Sequence, residues 1–111
     1  MTDLARGAIV LFGERGEFTG KPRPGVIVQR GSTLADSPSI TLCGLTSTPI
    51  PGNPLRIAVP PTAANGLREL SFVMIDKLAS ISRSRIRDVI GALEQDEMAA
   101  VDTALRRWLD L

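Results

Sequence analysis

The chain contains no histidine and a single cysteine, Cys43. These shortages remove the His/Cys clusters that hold zinc, the Ser/His and Cys/His dyads of nucleophilic hydrolases, and any disulfide within the chain. No apolar run nears the roughly 18 residues of a membrane-spanning helix. The opening Met1-Thr2-Asp3-Leu4-Ala5-Arg6 lacks the apolar stretch of a signal peptide, so a cytoplasmic protein with no membrane partner is expected. Cys43 lies within Ile40-Thr41-Leu42-Cys43-Gly44-Leu45 with no base in view to lower its pKa, and reads as a small buried hydrophobe rather than a nucleophile.

What is present is one domain's length of mostly extended pattern. A chain of 111 residues can bury its own core, so residues 1–111 are read as a single domain. Short β-branched or apolar runs bounded by Gly, Pro, Ser or Asn predict strands over 8–12, 25–29, 40–45, 55–59 and 70–75, with a brief one at 79–81. Six short strands suggest a small barrel. Polar or proline-rich loops are expected at 13–20, 48–54 and 60–67, the last carrying the Asn65-Gly66 turn signal. Ser84 is read as the N-cap of a short helix through Ile90, closed by Gly91. In the last segment Met98, Val101, Leu105 and Trp108 recur at helical spacing, with Glu94, Asp96 and Glu97 at its start and Arg106 and Arg107 at its end. That stripe is read as core packing against the strands.

Charge is unevenly spread. Residues 1–87 carry a net +5 and residues 88–111 a net −4, so a basic body precedes an acidic tail, in part because acids gather at the start of the final helix. The densest local signal is Lys21-Pro22-Arg23-Pro24-Gly25-Val26-Ile27-Val28-Gln29. Each proline fixes its own φ and biases the residue before it toward extended geometry, so Lys21 and Arg23 project from a stiffened backbone and lose little freedom on binding an anion. The Arg23 guanidinium keeps its charge and offers a planar fork of donors suited to phosphate oxygens; the plainer reading is a surface arginine at a strand start. Thr46 ends the third predicted strand, where a hydroxyl can donate to a phosphate oxygen or position a 2′-hydroxyl; Ser47 and Thr48 offer the same group, and the sequence does not choose among them. Asp76, read as closing the fifth strand, either orients Arg23 or the nucleophile or simply caps a turn. Lys21, Arg15, Arg30 and Arg56 are candidate contacts to backbone phosphates.

In order along the chain, Arg6-Gly7-Ala8-Ile9-Val10-Leu11, the Pro22-Arg23-Pro24 strand, Ile40 to Thr46, Asn65-Gly66-Leu67, Phe72-Val73-Met74-Ile75-Asp76-Lys77, Ser84-Arg85-Ile86 and Ile90-Gly91-Ala92-Leu93 resemble the landmarks of MazF/PemK-type toxins. The resemblance spans Arg6 to the C-terminus. It implies a mainly β fold, an SH3-like small barrel of the CcdB/PemK kind with a C-terminal helix, and a homodimer. It further implies a toxin of a type II toxin-antitoxin system that arrests growth as a sequence-specific endoribonuclease on single-stranded RNA. The family's catalytic arginine and threonine fall on Arg23 and Thr46. Its products, a 2′,3′-cyclic phosphate and a 5′-hydroxyl, imply attack by the ribose 2′-hydroxyl with no metal and no cofactor. A cognate antitoxin with a disordered acidic segment is the implied partner, complementary to a basic sheet face.

Two departures stand out. Residues 13–20, Gly13-Glu14-Arg15-Gly16-Glu17-Phe18-Thr19-Gly20, differ from the family's Gly-Ser-Glu-Gln loop, making Phe18 a stacking residue or a loop anchor. Lys77 stands where many relatives carry glutamine. The RNA-contacting set is therefore Lys21, Ser47, Arg15 and Phe18 around Arg23 and Thr46, with Asp76 behind them. The alternative is a non-enzymatic inhibitor of DNA gyrase on the same fold, as in the related CcdB toxins, which present a C-terminal tryptophan where this chain has Trp108.

Overall fold

The computed structural model describes residues 3–13 and 21–111. Among these, six strands form one antiparallel sheet: β1 (Ala8–Phe12), β2 (Arg23–Ile27), β3 (Ser39–Thr46), β4 (Arg56–Val59), β5 (Ser71–Ser82) and β6 (Ile86–Ala92), in the order β4-β5-β3-β2-β1-β6. A helix, α1 (Gln95–Leu109), follows. The mainly β fold with a C-terminal helix is as expected, but the sheet does not close into a hydrogen-bonded barrel. Its edge strands β4 and β6 are linked instead by the segment after β4. There the Ala92 N–H donates to the Ala64 carbonyl (3.2 Å), and Gly66, at φ +70°, packs its bare Cα against the Ile90 carbonyl, where a Cβ would collide. Asn65 is 1% exposed and locks this segment: its Oδ1 accepts from the Thr62 and Leu67 N–H groups, and its Nδ2 donates to the Pro60 carbonyl. Two prolines at 60 and 61 deny the chain a paired strand here, so side chain and turn do the closing.

Side-chain alternation along the strands splits the core between the two faces. Ile9, Val26, Cys43, Leu45, Val73 and Ile75 point one way and pack with Val101, Ala104 and Leu105 of α1. Val10, Ile27, Leu42 and Ile40 point the other way and pack with Leu34, Ile81 and Ile86. Leu34 is held there by Arg83, whose Nη1 donates to the Leu34 and Ser37 carbonyls.

Three expected elements differ. The short helix over 84–90 is a single 3-10 turn, Arg83–Arg85, followed by β6. The β-branched Ile86, Val89 and Ile90 pair with β1 or pack on its neighbours, the Ser84 hydroxyl bonds that of Ser82 rather than capping, and Gly91 is a strand residue pressed against Asn65. The two strands predicted over 70–75 and 79–81 are one, because a register shift opposite Gly44 absorbs the polar residues between Val73 and Leu78 without ending the strand. Asp76 therefore sits inside β5 instead of closing it. The α1 stripe is buried at Val101 and Leu105, yet its last member, Trp108, is 49% exposed, so that residue is not core.

Helix α1 starts where expected. The Glu97 Oε1 accepts from the Glu94 N–H (2.9 Å), Asp96 and Glu97 occupy the first turn, and Arg106 and Arg107 the last. Arg6 ties α1 to the sheet, donating from Nε to the Val28 carbonyl (2.9 Å) and from Nη2 to Asp102 (2.8 Å).

Candidate functional site

Arg23 begins β2 and Thr46 ends β3, at the same end of two paired strands. Strands β2 and β3 pair Gly25 with Gly44, Val26 with Cys43 and Ile27 with Leu42, and each strand runs two residues beyond the Gly25–Gly44 pair, to Arg23 and to Thr46. The Val28 N–H donates to the Thr41 carbonyl (3.1 Å), so the β2 positions that exchange bonds with β3 are 28, 26 and 24. Position 24 is proline and has no N–H to give, and the paired ladder stops at Gly25. By strand alternation Arg23 follows in the row of Ile27 and Gly25, and Thr46 in the row of Leu42 and Gly44.

The row continues on both sides: Arg23 pairs with Phe12 of β1, Thr46 with Phe72 of β5, and Phe72 with Ala58 of β4. By strand alternation these residues share the face away from α1, where Phe12 packs at the edge of the second core. Arg23 is exposed and Thr46 half-buried. Beneath them lie the facing Gly25 and Gly44. A Cβ at Gly25 would come within 2.9 Å of the Phe12 ring, and one at Gly44 within 3.0 Å of the Met74 methyl, so neighbouring side chains fold down over bare backbone and leave a shallow floor. The Thr46 Oγ1 accepts from the Thr48 N–H (3.2 Å), which fixes the hydroxyl oxygen and leaves its proton to donate outward.

Around this pair the other expected residues divide. Lys21 and Ser47 are exposed and adjoin Arg23 and Thr46 in the chain. Arg15 and Phe18 lie outside the described residues. Asp76 is engaged by Arg56, with Nε to Oδ1 and Nη2 to Oδ2 both at 3.2 Å. The Arg56 side chain is 9% exposed, so it is an internal partner of Asp76 and not the phosphate contact expected of it. Arg30 follows β2 at the end opposite Arg23, which also removes it from this site. Burial, aided by the Asp76 charge, pushes the Cys43 thiol up from 9.0 to about 11, so it stays protonated and inert at neutral pH, in keeping with its reading as a buried hydrophobe.

Two further cations, unassigned from sequence, lie at the end of β1 that pairs with Arg23. The Arg85 Nε donates to the Gly13 carbonyl (2.8 Å) and the Gly13 N–H donates to the Arg85 carbonyl (2.9 Å). The Arg87 guanidinium lies against Gly13. Because Phe12 pairs with both Arg23 and Ile86, these arginines flank the same end of β1 as Arg23. Reading 84–90 as a helix hid them; the Arg85-Ile86-Arg87 alternation was the available strand signal. A groove of about 460 Å³, lined by residues including Arg6, Val28, Thr41, Asp102 and Leu105, lies between α1 and the other end of β2.

The sheet thus carries an exposed guanidinium at Arg23 and a half-buried hydroxyl at Thr46, with two further arginines at the same end of β1. The chain belongs to the PemK-like, MazF-like toxin family of type II toxin-antitoxin systems, whose sequence profile matches residues 5–109. It is 36% identical over 108 residues to a protein of Mycolicibacterium smegmatis named as a probable endoribonuclease MazF, covering 97% of this chain and 98% of that one. Its fold is similar to that of the Mycobacterium tuberculosis toxin MazF-mt6, with a TM-score of 0.79, 25% identity, and 94% of this chain and 97% of that one covered. It is also similar to an endoribonuclease in complex with its cognate antitoxin from a mycobacterial species, with a TM-score of 0.79, 20% identity and coverage of 97% and 96%.

Proposed function

We propose that this chain is an endoribonuclease toxin that cleaves single-stranded RNA within a short sequence motif, with Arg23 and Thr46 as its catalytic pair. The ribose 2′-oxygen attacks the adjacent phosphorus as its proton passes to solvent, the bond from phosphorus to the 5′-oxygen breaks and that oxygen takes up a proton, and the products are a 2′,3′-cyclic phosphate and a 5′-hydroxyl. The Arg23 guanidinium binds two nonbridging oxygens as charge builds on them and supplies a proton donor close to the departing 5′-oxygen, while the Thr46 hydroxyl donates to the same phosphate and sets its orientation. Lys21 and Ser47 hold neighbouring backbone phosphates or sugars. The chemistry needs no metal ion. Single strands are preferred because the 2′-hydroxyl must swing in line with the leaving oxygen, which an A-form duplex resists.

What supports this reading is the antiparallel pairing of β2 with β3 through Gly25 and Gly44, beyond which Arg23 and Thr46 lie at the same end of the two strands. The protein works as a single-domain homodimer in the cytoplasm, and the acidic segment of a cognate antitoxin covers the Arg23 face. No helix among the described residues is long and apolar enough to cross a membrane.

The test is incubation of antitoxin-free protein with a long single-stranded RNA in the presence of chelator, followed by mapping of the cut ends. Cleavage with cyclic-phosphate termini is expected from the parent, and a loss of at least about 100-fold in rate from Arg23→Ala. Parent-like cleavage by both Arg23→Ala and Thr46→Ala would overturn the site assignment. The half-exposed Trp108 keeps one other reading open to test: intact RNA together with arrested DNA supercoiling by gyrase would identify a gyrase inhibitor.

A further inference from the structure

Phe72 and Met74 are half-buried apolar side chains on the face that carries Arg23 and Thr46. Among the described residues, neither belongs to the core under α1 or to the core under Leu34, although the partly buried Phe12, Leu55, Ile57 and Leu78 each do. A phenylalanine with no core to fill needs another reason to sit in a central strand. Its surroundings supply one. Phe72 is directly opposite Thr46, one strand spacing of about 4.8 Å from the proposed phosphate site. Its neighbour on the far side is Ala58, an exposed residue whose single methyl leaves the ring uncovered from β4. Along β5, Met74 lies over the bare backbone of Gly44, extending an apolar surface from the ring toward the middle of the site.

We propose that Phe72, backed by Met74, is a stacking shelf for one base of the RNA strand, the base next to the phosphate held by Arg23 and Thr46. This rests on the endoribonuclease reading and adds to it the place where a base is held. An unpaired base exposes both π-faces, and stacking on an aromatic side chain is the standard way a protein grips one without reading its edge. The shelf lies on the Thr46 side of the phosphate, so the strand crosses the sheet from Arg23 toward β4. Beside the ring, half-buried Met74 offers a polarizable edge that adapts to bases of different size. Phe72 is thus a positioning residue: it fixes where the nucleotide lies, and Arg23 and Thr46 act on the phosphate it presents.

The test uses the parent protein, Phe72→Ala, Phe72→Leu and Phe72→Trp. The substrate is a short RNA containing the mapped cleavage motif, with a matching non-cleavable oligonucleotide carrying a 2′-deoxy nucleotide at the cut. Phe72→Ala and Phe72→Leu are expected to raise KM and weaken binding by about tenfold, the size of one lost stack, with kcat held within a few-fold. Phe72→Trp is expected to retain parent affinity. An abasic substitution beside the scissile phosphate should weaken binding by the parent about tenfold and weaken binding by Phe72→Ala no further. Parent-like KM and cut-site preference in Phe72→Ala, or full retention by Phe72→Leu, overturns the shelf while parent cleavage leaves the enzyme reading standing. A parent that neither binds nor cleaves single-stranded RNA overturns both.

Discussion

Thr46 and Cys43 are neighbours on β3 that face opposite ways, and the sheet's alternation assigns them opposite fates. Thr46 opens to the Arg23 face with its oxygen already accepting from the Thr48 N–H, so its remaining role is to donate. Thr46→Val keeps the shape and removes the donor; single-turnover cleavage is expected to slow by about 100-fold, whereas Thr46→Ser should retain most of the rate. Cys43 points into the core under α1, where burial first and the Asp76 charge second raise its pKa from 9.0 to about 11. Above pH 9 the unfolded chain releases this proton while the folded chain keeps it, so the unfolded state binds fewer protons and stability falls with rising pH. The stability is intact below pH 9 and drains away between 9 and about 11, by about 3 kcal/mol in all. Urea titrations across this range should show a shallower decline for Cys43→Ala than for the parent, and iodoacetamide should leave folded protein unmodified at pH 8.

At the scale of elements, the segment between β4 and β5 is what joins the two edges of the sheet. Asn65→Ala strips a buried residue of its contacts to Thr62, Leu67 and Pro60, and is expected to cost about 1–3 kcal/mol. Gly66→Ala forces a Cβ into the Ile90 carbonyl at a positive φ and should cost at least about 1 kcal/mol. Thermal denaturation would register each as a fall of several degrees, with Arg23-dependent cleavage retained at low temperature. Much of this architecture was legible beforehand. The bounds of β1 and the start of α1 follow from propensity, capping and charge placement, and the Asn65-Gly66 turn from its dipeptide. The misread elements share one cause. Ser84 through Gly91 carries a local cap and stop, and only the partner strand β1 tells the backbone to extend. Asp76 and Lys77 look like a strand end because nothing local reveals that Arg56, twenty residues away, will meet the carboxylate inside the sheet.

Over the whole molecule, the uneven charge of the sequence becomes a geometry. Lys21, Arg23, Arg85 and Arg87 come from distant segments yet gather at one end of β1, on or beside the open face. RNA binding should therefore weaken with salt, with a slope in log–log form of about 0.7 for each phosphate contacted. Lys21→Gln is expected to lower that slope by about one such step and to weaken all single-stranded sequences alike, because a phosphate contact carries no base information. Anisotropy titrations at several salt concentrations would check this, and a sequence-selective effect would reassign Lys21. The far end of the molecule has another character: Trp108, Leu109 and Leu111 leave an apolar surface at the end of α1, beside the groove that Arg6 and Asp102 border.

The sequence by itself determined the rigid Pro22-Arg23-Pro24 presentation, the strand-rich body, the amphipathic final helix and the absence of imidazole from the chemistry, because each depends on residue identity or on contacts a few positions away. The pairing of Thr46 with Phe72, the capture of Arg56 by Asp76 and the joining of the edges through Asn65 were decided only by tertiary structure. Each is a meeting of residues far apart in the chain. Strand register, which moves every side chain to the opposite face when it slips by one, is a property of the whole sheet and not of any one strand.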